Sequence, residues 1–133
     1  MAGERILIVD DNPTNLKLLV FLMQQNGYVV ATALDADAAV ASIERDRPTL
    51  ILMDLQLPGV DGLSLTRRLK GAPATRDIII IAVTAYAMKG DLEKATAAGF
   101  DDYVTKPIDT RGVPVVVARH IEERAARRSG APA

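Results

Sequence analysis

Three stretches of this chain are apolar without a break: residues 6–9 (ILIV), 50–53 (LILM) and 78–83 (IIIIAV). A strand with one wet face alternates apolar and polar side chains. Unbroken runs this short instead fit strands covered on both faces, the central strands of a parallel sheet. Residues 28–33 (YVVATA) and 102–105 (DYVT) suit flanking strands. Between the runs the spacing becomes helical. Leu16, Leu19, Val20 and Met23 recur at i, i+3, i+4 and i+7, with Gly27 as a stop. Ala36, Ala39, Val40 and Ile43 repeat that spacing, with Asp35 placed to cap the start and Pro48 beyond the end. Leu65 and Leu69 mark a third helix, and Leu92, Ala95 and Ala98 a fourth closed by Gly99. Strand and helix therefore alternate along the whole chain, which predicts an α/β doubly wound domain. The 133 residues suit a single domain over 4–128, with the last five, SGAPA, expected as a disordered tail.

In doubly wound sheets ligands bind beyond the carboxyl ends of the strands, where the strand order reverses. The residues that follow each run are therefore the candidates. Asp10 and Asp11 follow the first run, Asp54 the second, Thr84 the third, and Lys106 with Pro107 follows DYVT. Taken singly each has an ordinary use. Either aspartate of the pair could cap the first helix, Asp54 could form an Asx turn before the LQLPGVDG loop, Thr84 could be a plain strand residue, and Lys106 could be solvated. Their convergence on one edge calls for a joint role. Clustered carboxylates without histidine or cysteine are hard oxygen ligands suited to Mg2+. A carboxylate can also act as a nucleophile and become an aspartyl phosphate, whose spread negative charge needs a metal, an amine and a hydroxyl around it.

The stretches LIVDDN, LILMDLQLPGVDG, IIAVTAYAMKGD and AAGFDDYVTKPI, in this order and spacing, resemble the receiver domains of two-component response regulators from Arg5 to about Ile121. The resemblance implies a five-stranded parallel sheet of flavodoxin-like type, strand order 2-1-3-4-5. It implies Asp54 as phosphoacceptor, with one Mg2+ held by Asp11, Asp54 and the Gln56 carbonyl and, largely through water, by Asp10. Lys106 would pair with the phosphoryl group, aimed by a cis bond to Pro107. Thr84 and Tyr103 would be switch residues, Tyr103 moving from exposed to buried, and Gln56 and Tyr86 would tune attack of water. The implied partners are a sensor histidine kinase or histidine phosphotransfer protein, and a downstream protein docking on the face of the fourth helix, fifth strand and fifth helix. The run AMKGD after the switch threonine and aromatic is similar to receivers of hybrid kinases and to stand-alone regulators of cell division.

One departure concerns the last helix. Gly112 and Pro114 stand where receivers usually continue it, and proline within a helix costs about 3 kcal/mol but is tolerated at its start. The fifth helix is therefore expected to begin late, near Val113, after a looser segment from Asp109. Arg119, Arg124, Arg127 and Arg128 are expected as solvated charges at its end.

Composition narrows the classes. A net charge of −1 gives no footprint for nucleic acid or an anionic membrane. Cysteine is absent, which removes disulfides, thiolate metal sites and a thiol nucleophile. No signal peptide or spanning run is visible, so a cytoplasmic protein is expected. The start at Met1 and the lack of any segment after Arg128 favour a complete, stand-alone regulator. A haloacid-dehalogenase phosphatase would need D-x-D-x-T where residues 10–14 read DDNPT, and a flavodoxin would need a phosphate loop where the acids stand. Two readings within the resemblance stay open: a binding module independent of phosphate, and a receiver fragment of a hybrid kinase.

Overall fold

The structure, a computed structural model, describes residues 3–55, 62–85 and 89–128. Its elements are β1 (Arg5–Val9), α1 (Pro13–Gln25), β2 (Val29–Ala33), α2 (Ala36–Arg45), β3 (Leu50–Asp54), α3 (Gly62–Gly71), β4 (Ile79–Thr84), α4 (Lys89–Ala98), β5 (Asp102–Thr105) and α5 (Gly112–Arg128). The strands form one parallel sheet in the order β2-β1-β3-β4-β5, as the apolar runs and the resemblance predict. The chain steps from β1 out to β2 and then crosses back to β3, so the order reverses between β1 and β3.

The two-residue period of each strand sorts its apolar run into two cores. Leu7, Val9, Ile51, Met53, Ile80 and Ala82 pack on α2, α3 and α4 through Ala39, Ile43, Leu65, Leu69, Ala95 and Ala98. Ile6, Ile8, Leu50, Leu52, Ile81 and Val83 pack on α1 and α5 through Leu19, Met23, Val117 and Ile121. Both faces are covered, which is why β3 and β4 are buried at every position and show no polar alternation. The outer strands β2 and β5 are covered only in part.

Helix ends follow the local chemistry. Gly27 and Gly99 adopt φ of 86° and 105°, a region that side chains disfavour. There the next residues, Tyr28 and Phe100, donate back to Met23 and Ala95 and close α1 and α4. Asp35 caps α2 by accepting the Ala38 N–H at 2.8 Å. The cap of α1 is Asn12 and not either aspartate: its Oδ1 accepts the N–H groups of Thr14 and Asn15 at 2.9 and 3.2 Å, with Pro13 at the first helical position. Asp10 is diverted from capping because its side chain turns toward the sheet edge.

The fifth helix starts at Gly112, so Pro114 falls in the first turn, where its missing N–H has no partner to lose. Asp109 organises that start: its Oδ1 accepts the Arg111 N–H and its carbonyl the Val113 N–H, each at 3.0 Å. Of the arginines expected as solvated charges, Arg127 is exposed, while Arg119 and Arg124 also take partners outside the helix. Arg119 binds Asp102 at 2.7 Å and Arg124 donates to the Asp77 carbonyl. Both tie α5 to the ends of strands that lie far away in sequence but alongside it in the fold. Among the described residues no helix is long and apolar enough to cross a membrane.

Candidate functional site at the carboxyl edge of the sheet

Residues from four strand ends meet here. Asp10 follows β1 and is 1% exposed, Asp54 ends β3 at 3%, and Thr84 ends β4 at 2%. Charged groups are rarely buried so deeply without partners. Asp10 Oδ1 accepts the Asn12 N–H at 2.8 Å, while its Oδ2 has no hydrogen-bond partner among the described residues. Asp11 is exposed beside it. Carboxylate oxygens of Asp10, Asp11 and Asp54 lie within 4.8 Å of one another. Lys106, just past β5, brings its Nζ to 3.3 Å from Asp54 Oδ2 and 3.8 Å from Asp10 Oδ2. Its main-chain N–H donates to the Thr84 carbonyl at 2.8 Å, so the hydroxyl-bearing and amine-bearing residues are direct neighbours. The Lys106–Pro107 peptide bond is cis.

Burial raises the Asp10 carboxyl above the ordinary carboxylate range. The Asn12 N–H opposes that rise, the charge of Asp54 adds to it, and Lys106 opposes it. One amine faces three carboxylates, and a buried carboxylate oxygen lacks a donor. That shortage of positive charge fits a hard divalent cation, which Asp10, Asp11 and Asp54 would hold. Gln56 and Tyr86, expected as carbonyl ligand and tuning residues, lie outside the described residues.

Tyr103 stands apart from the acids. It is 44% exposed, beside a groove of about 240 Å3 lined by Val104, Pro107, Val113 and Val116. Two groups near this face were missed in the sequence. Asp102 Oδ2 accepts from Arg119 at 2.7 Å and faces His120 Nε2 at 2.8 Å, which places the histidine proton on that nitrogen. The N-cap role of Asn12 was visible in principle, since asparagine directly before proline and an apolar period is a helix-start signal.

The sequence pattern of the response regulator receiver domain family matches residues 6–117. The polar-differentiation response regulator DivK of Brucella anthropi is 44% identical over 103 residues, covering 77% of this chain and 84% of DivK. The response regulator PleD of Caulobacter vibrioides is 42% identical over 105 residues, 79% of this chain, but this chain spans only 23% of PleD's length. Among solved structures, the receiver domain of the Pseudomonas aeruginosa sensor histidine kinase PA1611 superposes with a TM-score of 0.81 at 40% identity. The match covers 89% of this chain and 97% of that one, which carries a magnesium ion coordinated in its active site cleft. With the family pattern running from β1 into α5, and a regulator matched over most of its own length, the chain belongs to the response regulator receiver domain family.

Proposed function

We propose that Asp54 accepts a phosphoryl group from a phosphohistidine of a sensor kinase or phosphotransfer protein, and that the acyl phosphate changes which protein this chain binds. The observation that carries this reading is the position of Lys106 Nζ, 3.3 Å from Asp54 Oδ2 on an edge crowded with carboxylates. An Asp54 oxygen attacks phosphorus while the P–N bond to the donor imidazole breaks. The imidazole keeps the electron pair and takes up a proton. Lys106 and the Thr84 hydroxyl offer N–H and O–H donors to the phosphoryl oxygens, whose charge grows and spreads during transfer. A Mg2+ ion held by Asp10, Asp11, Asp54 and the Gln56 carbonyl would supply the remaining positive charge.

The product then biases a two-state packing. Thr84 turns toward the phosphoryl group and Tyr103, now exposed, moves into the space released, remodelling the α4–β5–α5 face. Phosphate can drive this only by binding one packing better than the other. The receiver unit spans residues 4–128 and acts in the cytoplasm on proteins, not on nucleic acid. Its own chemistry is limited to phosphorylation of Asp54, including from small donors, and slow hydrolysis tuned by Gln56 and Tyr86.

The test is intact mass after incubation with Mg2+ and acetyl phosphate, for wild type and Asp54→Asn, repeated with a phosphorylated histidine phosphotransfer domain as donor. One phosphoryl group gained by wild type alone supports the reading. Gain by both proteins moves the acceptor elsewhere, and no gain from either donor by folded wild type overturns it.

A further inference from the structure

Among the described residues no element pairs with the outer edge of β2. Val29 donates its N–H to the Glu4 carbonyl at 2.9 Å, and the Ala33 carbonyl accepts the Asp10 N–H at 3.1 Å. The N–H and C=O of one strand residue point to the same side, so residues 29, 31 and 33 serve β1. Val30 and Thr32 therefore turn their backbone groups outward. Soluble proteins usually blunt such an edge with charge, proline, a bulge or a covering element. From Tyr28 to Leu34 the chain reads YVVATAL, with no charged residue and no proline. Val29 and Leu34 are 52% and 55% exposed.

The flanks of this edge carry opposite charge. α2 runs back alongside β2, so Asp35 and Asp37 lie at the carboxyl end of the strand. Arg45 lies at its amino end, where it lines a groove of about 150 Å3 with Val29 and Ala31. None of the ion pairs among the described residues uses Asp37 or Arg45.

We propose that β2 pairs with β2 of a second copy of this chain, antiparallel about a two-fold axis through Ala31, joining the two sheets into one. In that register Val30 meets Thr32 of the second copy and each exchanges both of its free backbone hydrogen bonds. The same axis keeps both α2 helices on one face of the joined sheet, running in opposite directions. Arg45 of each copy is then brought toward Asp37 of the other. The surface is thus complementary to itself both in hydrogen bonding and in charge, as a two-fold interface requires. The contact is short, so the dimer is weak and concentration-dependent.

Sedimentation velocity across a concentration series, with hydrogen exchange read at single amides, tests this. Wild type should pass from monomer to dimer. Exchange at the Val30 and Thr32 amides should slow about tenfold where about nine chains in ten are paired, by mass action, while the Ala31 amide is unchanged. Thr32→Pro removes an outward N–H without touching the β1 ladder and should stay monomeric. Arg45→Glu should weaken the dimer, and Arg45→Glu combined with Asp37→Arg should restore it. Should Thr32→Pro fail to fold, the charge-reversal pair decides. Wild type that stays monomeric throughout, a dimer indifferent to these variants, or protection lying outside β2 would overturn the proposal.

Discussion

Gly62, the first residue of α3, lies directly against the main chain of Asp54. A Cβ placed on it would stand 2.4 Å from the Asp54 carbonyl oxygen and 3.0 Å from Leu55 Cα. Both obstacles are backbone, and the Gly62 N–H already donates to the Leu55 carbonyl at 3.2 Å. Gly62→Ala must therefore push α3 off the end of β3. Overpacking of this kind costs about 1–3 kcal/mol, to be read as a lower denaturant midpoint at unchanged m-value. Phosphorylation at the proposed acceptor, Asp54, should slow as well, because its side chain moves with its own carbonyl.

Asp54→Asn should stabilise the protein in chelator. Asp10 and Asp54 are both buried and share one amine, so the amide removes a repulsion without emptying the site. A rise of about 1 kcal/mol, a few degrees in Tm, is expected by calorimetry in EDTA. Added Mg2+ should raise the Tm of wild type and leave the variant nearly unmoved. A lower Tm for the variant in EDTA would show that Lys106 already offsets the repulsion.

Lys70 joins three parts of the fold. Its Nζ, at the end of α3, donates to the Ile78 carbonyl and to Asp101 Oδ2, each at 2.8 Å, and Asp101 Oδ2 also accepts the Ile80 N–H at 2.8 Å. Its stem fills the space above Gly99, where a Cβ would come within 2.9 Å of Lys70 Cγ. Lys70→Met keeps the stem and removes the donor, leaving acceptors unmet, a loss of about 1–3 kcal/mol in urea unfolding. Phosphorylation by acetyl phosphate should be retained, since none of these groups borders Asp54.

Asp102 supplies a pH dependence whose sign is fixed. Burial would raise its carboxyl, but the His120 hydrogen bond, the Tyr103 N–H and the charges of His120 and Arg119 outweigh that and hold it below the ordinary value. A carboxyl depressed by folding stabilises above its unfolded pKa, about 3.9, and that stability fades as pH falls through the folded value. Asp102→Asn should therefore be less stable than wild type near neutrality, with the gap closing below about pH 4. His120→Ala should shrink the same gap. Urea midpoints measured across the acid range give both results.

The legible part of this fold is the part covered on both faces. β1, β3 and β4 announced themselves because α1 and α5 cover one side and α2, α3 and α4 the other, so no polar residue interrupts them. Once those strands are placed, Asp10, Asp54 and Thr84 follow, since a strand's end fixes the sheet's edge. The cap of α1 was ambiguous because residues 10, 11 and 12 are all good capping types. The choice depends on Asp10 turning into the site, which is a tertiary fact. The Tyr28 N–H closes α1 on Met23, and β2 begins at the next residue, Val29, whose N–H donates to Glu4. The ties Lys70–Asp101 and Arg119–Asp102 span 31 and 17 positions, and no local period encodes where α3 and α5 come to rest.

The site draws its acids from the ends of β1 and β3 and its amine from the end of the last strand. Chains emerge amino end first, and domains fold as units during synthesis. A growing chain that already displays Asp10, Asp11 and Asp54 still lacks Lys106 and the strand that positions it, so under the proposed assignment a half-made molecule has an incomplete acceptor site. On that assignment the capacity to accept a phosphoryl group is completed only once β5 has been made. A product truncated before β5 would, by the same proposal, carry the acids without the amine.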